Sequence, residues 1–512
     1  MINWCDNIRR KALKKACFYR IYVSTGLKVK FKSRHSDQKA LRLVLKAFSI
    51  IRTMAVNKGH STDFGRGSVA GHVIRQALPL MLSSFVQLLY NIVDRIYIGH
   101  IPGEGQDALT GLGLTFPIVS VILAFTMLFG QGGAPVFSIA MGSGNEKKAG
   151  KVLGNSFTML ITGSAVLTAI LYFFMKPLLF WIGADAVTYP YAQTYLQIYL
   201  IGTTLTMISN GLNYYISSQG FAVRAMVNTL VGAVLNIILD PFFIFILDLN
   251  IRGAAIATVI SQALSTILVL SFLTGQKPKF KIELRNMKPE PAICFEICSV
   301  GFTGFIMQFT NSAVLTVCTR TLSEYGGTLY IGIMTIVSSV RDIMSVAVHA
   351  ITSGAQPVMG FNYGAGKYNR VKQGIRLSFL FAFVYTGLAW LVVVIFPRLF
   401  IGMFSEDPGL IEASVPALHL YFMAYVFMAF QFSGQSTFMS LEKNGRAIFF
   451  SLFRKVILVI PLTILLPHFT EPAVNGVFMA EPVSNVVGGL ASFLTMYFTV
   501  YRKLNESSDS NH

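Results

Sequence analysis

The chain has 512 residues, 53% of them hydrophobic and only 13% charged, and its mean hydropathy is +0.59. So little polar surface cannot cover a soluble globule, which excludes a soluble enzyme or binding domain and leaves a polytopic membrane protein. The net charge of +19 would suit nucleic acid, but the basic residues lie in alternate loops and in the first 60 residues, a distribution that points to anionic lipid instead.

Residues 1–69 form a basic N-terminal segment in which only Asp6, Asp37 and Asp63 oppose many Lys and Arg. It has neither a long apolar core nor a small-residue cleavage site, so it does not read as a secretory signal. Two readings stay open: a basic cytoplasmic arm, or an upstream extension of a chain whose start is Met54. Of the five cysteines, Cys5 and Cys17 fall here; with Cys294, Cys298 and Cys318 they make no metal spacing and read as structural.

From Val73 onward, apolar runs of roughly 20 residues, enough to cross a bilayer core of about 30 Å, recur between short polar breaks. They predict twelve membrane helices over 73–98, 108–134, 150–175, 189–213, 224–247, 252–274, 292–318, 328–352, 371–396, 411–434, 446–467 and 473–500.

In the first span, Gln87 and Asp94 are seven residues apart and share a face, whereas Arg95 points about 100° away and snorkels toward the helix end. A carboxylate in a membrane helix costs roughly 2.5–3.5 kcal/mol on insertion scales, so Asp94 is expected to face a lumen and a partner. The fifth span, LVGAVLNIILDPFFIF, stacks Asn236 and Asp240 on one face. Pro241 follows at once and leaves the carbonyl of Ile237 without its helical amide, freeing an oxygen beside Asp240. Oxygen ligands suit a hard cation. The sixth span adds Thr258 among small residues that permit close helix packing. Taken singly, Asn236 is explained as helix–helix glue and Thr258 by a bond to its own backbone; two acids in separate membrane helices are not explained that way.

The seventh span carries Gln308 and Asn311 in MQFTNSAV, and the eighth carries Arg341, Asp342 and His349. Arg341 and Asp342 are adjacent and do not share a face, so each is expected to pair with another helix, as structure first and substrate contact second. His349 and His419 read as core histidines. Glu481, before Pro482 in the twelfth span, reads equally as a helix-end partner or a cavity acid.

Loop charge sets orientation, since Lys and Arg near span ends stay cytoplasmic. One set of loops holds Lys147, Lys148, Lys151, Arg224, Lys277 to Lys288, Lys367 to Arg376, Lys443 and Arg446; the other is rich in Glu104, Asp107, Asp185, Asp248, Glu324, Glu406, Asp407 and Glu471. Both termini are therefore expected in the cytoplasm of a plasma-membrane protein.

The stretch GAPVFSIAMGSGNEKKAGKVLGNSF from Gly133 aligns without a gap to AQPVMGFNYGAGKYNRVKQGIRLSF from Ala355, an offset of 222. Tyr199 meets Tyr421 and Arg224 meets Arg446 at the same offset. Six spans per half is an even number, so the halves share one orientation and relate by an axis along the membrane normal. The fold class expected is all-α: twelve transmembrane helices in two six-helix lobes, 70–276 and 292–500, joined by a cytoplasmic linker over 277–291 and followed by a tail over 501–512.

The run from Gln76 to Gly99, GQGGAPVFSIAMGSGN, LNIILDPFFIF with GAAIAT, and GAQPVMGFNYGAGKYNR together resemble the MATE (multidrug and toxic compound extrusion) family over about residues 70–500. The resemblance implies an antiporter that expels organic cations and amphipathic drugs in exchange for H⁺ or Na⁺, with no other cofactor. It also implies a first-lobe cation site at Gln87, Asp94, Asn236, Asp240 and Thr258. Where some members carry an acid in the seventh helix this chain has none, which removes the basis for a second-lobe cation site of that type. No GxxxxGK[ST] loop is present, so ATP is not the expected driver. Phe, Tyr and Met in quantity supply adaptable surfaces for organic cations. The other class, a lipid-linked saccharide flippase, would want several cations in its cavity, and the spans offer mainly Arg341. The protein is expected to act as a monomer, as a transporter and not an enzyme or channel.

Overall fold

The structure is a computed structural model that describes residues 62–504 except Glu406; the leader, with Cys5, Cys17 and Met54, and the end of the tail lie outside the described residues. Its membrane helices are α1 (Val69–Gly99), α2 (Gly105–Gly142), α3 (Glu146–Phe173), α5 (Ala222–Ile246), α6 (Asn250–Leu273), α7 (Pro291–Gly327), α8 (Leu329–Gly364), α9 (Tyr368–Ile395), α11 (Asn444–Phe469) and α12 (Val474–Tyr501). Among the described residues these ten are long and apolar enough to cross a bilayer as single helices. The other two predicted spans are built in pieces. α4 consists of Tyr189–Ile201 and Thr203–Ser218, which meet at Gly202. α10 consists of Pro408–Phe422 and Tyr425–Ser440, bent by 41° at the break. A membrane helix can be broken only where freed backbone groups find other partners: near the first break the Leu200 carbonyl accepts from Thr168 at 3.3 Å, and near the second the Val426 carbonyl accepts from Thr386 at 3.4 Å.

Three helices outrun their predicted ends, α7 reaching Gly327 beyond its predicted 318. α2 continues from 134 to Gly142 and α8 from 352 to Gly364, both at the end of the molecule that carries the Lys-rich loops, called here the basic end. These extra turns are the repeated segment, and they pack on each other across the lobe boundary. A Cβ on Gly142 would overlap the Phe361 carbonyl, and one on Gly364 would overlap the Ile139 carbonyl. The next glycines of the repeat, Gly144 and Gly366, have φ of +73° and +69°, the left-handed turn into α3 and α9 that favours glycine.

Each lobe has its own apolar core. One is built around residues such as Phe137, Leu153, Leu160 and Tyr215, the other around Leu322, Val337, Phe422 and Phe478. The first turns of each lobe's first helix are exchanged. Ile293, Ile297 and Val300 of α7 belong to the first core, whereas Phe64, Val69 and Val73 before and in α1 pack with Ala355, Val358 and Met359 at the basic end of the second lobe. Polar bonds fix the exchange. Before α7, the Asn286 carbonyl accepts from Asn155 at 3.2 Å, the Met287 carbonyl from Thr158 at 2.7 Å, and Glu290 pairs with Lys151 at 2.5 Å. Before α1, the Phe64 carbonyl accepts from Asn362 at 3.0 Å and Arg370 at 2.8 Å, and the Gly65 carbonyl from Lys367 at 2.9 Å. At the other end of the molecule, Asp185 takes the backbone N–H groups and hydroxyl of Thr188 and its neighbour as α4 begins, bonds that hold its carboxyl below the usual range.

Candidate cation site and a basic recess

Between the lobes lies a central cavity of about 390 Å³ that both halves line, with Gln131, Ser138 and Tyr214 on one side and Gln308, Asn311, His349 and Phe432 on the other. That volume is in the range of drug-sized sites. His349 does not behave as the core histidine its apolar setting suggests. It stands exposed at the cavity wall, its ring 4.4 Å from that of Phe432. His419 is a satisfied histidine, with Nε2 at 3.1 Å from the Val394 carbonyl.

The first lobe holds an acidic pocket between α1, α4, α5 and α6. The Asn236 amide donates to Asp240 Oδ1 at 3.1 Å and lies 3.4 Å from the Thr258 hydroxyl. Gln87, half-buried on α1, lines the adjoining polar crevice together with Tyr90, Asn236 and Thr258. Asp94 is buried two turns further along the same face of α1 as Gln87, in electrostatic contact with Asp240. Three buried oxygens here, Asp94 Oδ1, Asp240 Oδ2 and Asn236 Oδ1, have no hydrogen-bond partner among the described residues. Orphaned acceptors on fully or nearly buried acids ask for a proton or a hard cation. The five residues that helix-face reasoning and the family resemblance share are thus neighbours. No group of three His, Cys, Asp or Glu is close enough to hold a metal among the described residues, so any cation held here would also use the amide and hydroxyl oxygens. Arg95 leaves this pocket and lies over the Phe116 ring at 4.4 Å. Pro241 closes the α-helical part of α5, and a wide π turn follows over Phe242–Ile246.

The second lobe carries charge of the other sign, and here sequence reasoning fell short. Arg454 and Lys455 of α11 are both buried, and both donate to Glu481 Oε1 of α12, at 3.1 and 2.9 Å. Arg454 also donates to Asn485 at 2.6 Å. Arg341 is therefore not the main cation facing the interior of this lobe but one of three that meet there among the described residues. Arg341 does reach another helix, donating to Tyr421 of α10 at 3.1 Å, but Asp342 is held by its own neighbour: the long guanidinium also folds back onto it at 2.8 and 3.1 Å. The face rule fails for this pair because arginine has reach enough to cross a third of a helix turn. Glu481, open on sequence alone, is a partner buried between two cations.

Two like-oriented, duplicated bundles that share one cavity define a secondary-transporter fold. The MatE family model matches residues 79–242 and 304–465. The chain belongs to that family, the MATE transporters, and is not an enzyme. The chain is 23% identical over 444 residues to the multidrug export protein MepA of Staphylococcus haemolyticus, covering 86% of this chain and 95% of that protein. It is 25% identical over 433 residues to an FAD transporter of Shewanella oneidensis, covering 82% and 93%. Among solved structures, an outward-facing MATE transporter of the MOP superfamily shares its fold with a TM-score of 0.81 at 21% identity, over 88% of this chain and all of that one.

Proposed function

We propose that the protein is a cation-coupled exporter of amphipathic compounds, organic cations among them, that works by alternating access with H⁺ or Na⁺ taken at Asp94 and Asp240. The observation that carries this reading is the set of orphaned acidic and amide oxygens buried in the first lobe. The MepA likeness supports the drug class. Protonation removes the charge that holds Na⁺, and a cation that binds one lobe arrangement better than the other shifts the equilibrium between them. If the Lys-rich loops face the cytoplasm, the sealed basic end makes this the arrangement closed to the cell interior. Transport of tetraphenylphosphonium into everted vesicles under an imposed pH gradient, with and without Na⁺, tests the reading. Uptake driven by either gradient is expected; uptake indifferent to both refutes coupling. The flippase reading is favoured by one observation, the buried Arg454 and Lys455, and would be selected by lipid flipping without drug export.

Pro241 is expected to act as a hinge next to the site. Pro241→Ala restores a helical hydrogen bond, so the variant folds at least as well as the natural chain. Turnover of tetraphenylphosphonium falls by about fivefold while its affinity changes less than about twofold, a split that separates motion from binding. Equal losses in both, or none in either, leave Pro241 as a static kink.

A further inference from the structure

The second lobe contains a small recess of about 80 Å³ that opens beside the central cavity; Met307, Asn311, His349, Phe432 and Gln435 line both. Its wall holds Arg341, Arg454 and Lys455 against Asp342 and Glu481, three cations facing two carboxylates. An unmatched positive charge inside a membrane protein is costly unless something answers it. The chain is shaped to keep it there. Neighbouring residues on an α-helix diverge by about 100°, yet Arg454 and Lys455 both turn inward because the π turn Phe453–Val459 widens α11 at that point. Gly488 of α12 clears the way for the arginine stem, since a Cβ there would lie 3.0 Å from Arg454 Cγ. Three further buried atoms around the recess, Ser345 Oγ, Gln431 Oε1 and Ser451 Oγ, have no partner among the described residues. At the repeat offset, Gly232 and Ala233 stand where α11 has Arg454 and Lys455, and Leu458 and Leu462 stand where α5 has Asn236 and Asp240. The duplicated helix carries inverted charge in its two copies.

We infer that this recess is a subsite for one anionic group, a phosphate or carboxylate, of a substrate whose apolar or aromatic body lies in the central cavity. The space admits such a group and not a drug-sized body. Two guanidinium groups and two serine hydroxyls are donors suited to its oxygens, and the arginines can grip it with paired N–H groups. The inference rests on the export reading for its route, but its test does not.

Binding to the full chain in nanodiscs is measured for riboflavin 5′-phosphate and riboflavin, which differ by one phosphate, and for tetraphenylphosphonium. The phosphate is expected to bind at least about tenfold tighter than its parent, a difference of about 1.4 kcal/mol. Arg454→Gln is expected to reduce that ratio to about twofold and leave tetraphenylphosphonium within about threefold. Glu481→Gln, which frees both cations from their internal acceptor, is expected to raise the ratio, the opposite of what a merely structural network would do. Arg341→Gln, whose partner Asp342 is mostly exposed, supplies a second lowering variant if Arg454→Gln does not fold. Dioctanoyl phosphatidic acid, run in parallel, distinguishes a lipid phosphate from a soluble one. Equal affinity for the two flavins in the natural chain, or a ratio untouched by both arginine variants, overturns the subsite. Failure of the export reading shows instead as vesicles that do not accumulate tetraphenylphosphonium.

Discussion

Asp94→Asn and Asp240→Asn are each expected to lower gradient-driven export of tetraphenylphosphonium by about 100-fold, which is near the upper end of coupling between two sites, ~1–3 kcal/mol. Yield and thermal stability should change little or rise. Asparagine keeps nearly the same shape and removes a buried carboxylate whose oxygen is unpaired, so the fold gains what the transport cycle loses. Asp240→Asn also preserves an acceptor for the Asn236 amide, now 3.1 Å from Oδ1. Reconstituted vesicles under a pH or Na⁺ gradient give the rate, and equilibrium binding of the same cation gives the control. Wild-type export by both variants would show that the coupling cation is held elsewhere.

The second large effect is expected at the basic end. Gly364→Ala adds one methyl where the Ile139 carbonyl already lies, and Gly142→Ala does the same against the Phe361 carbonyl. These neighbours are backbone of a packed helix and cannot swing aside, so the sealed arrangement is penalised while an arrangement with the lobes parted there is not. A cysteine at Ser138, which lines the central cavity, then reports access. With Cys294 and Cys298 replaced by Ser, a membrane-impermeant maleimide added at the basic end should label it at least about tenfold faster in either alanine variant, and export should fall about tenfold, in line with a population shift of about 1.4 kcal/mol. Gly387→Ala, with no atom within 4 Å of the new methyl, is the control and should leave both unchanged. Unchanged labelling in the Gly364 and Gly142 variants would mean that the seam gives way without opening the cavity.

Much of this was legible in the sequence because a bilayer imposes its own rules. A span must be long, apolar and internally bonded, so the runs of apolar residues marked where each helix lies, though not where α2, α7 and α8 end, and the two built in pieces still declared themselves by length. Asp94 and Asp240 stood out because a buried acid in lipid is costly, and a seven- or four-residue spacing then named their companions. Arg454 and Lys455 were overlooked in SLFRKVILV, where they sit well inside the predicted 446–467 span; counting cations in one span against the acid in the next, Glu481, would have found them. The exchange of α1 and α7 between lobes was not legible. Helical periodicity says which face of a helix is buried but not against which neighbour, and Val73 and Ile297 look the same whichever core receives them. The turns added to α2 and α8 were hidden for a related reason: hydropathy does not tell a glycine that ends a helix from one that lets two backbones touch, as Gly142 and Gly364 do.

Each lobe has one predicted span made in two helical pieces, and the joints, Gly202 and Ala424, are the same position of the repeat. A rod carries a push along its whole length; a jointed limb passes on only part of it. The pieces nearer the basic end, Thr203–Ser218 and Tyr425–Ser440, can therefore stay locked in the closed seam while the outer pieces lean. One turn before each joint is a tyrosine. Tyr199 stacks on Tyr195 beside the acidic pocket, and Tyr421 accepts from Arg341 in the basic recess. On the proposed function, a charge arriving at or leaving either pocket pulls on a side chain set just above a knee, so each bundle has, besides the kink at Pro241 in the first, a joint placed where the ligands can work it.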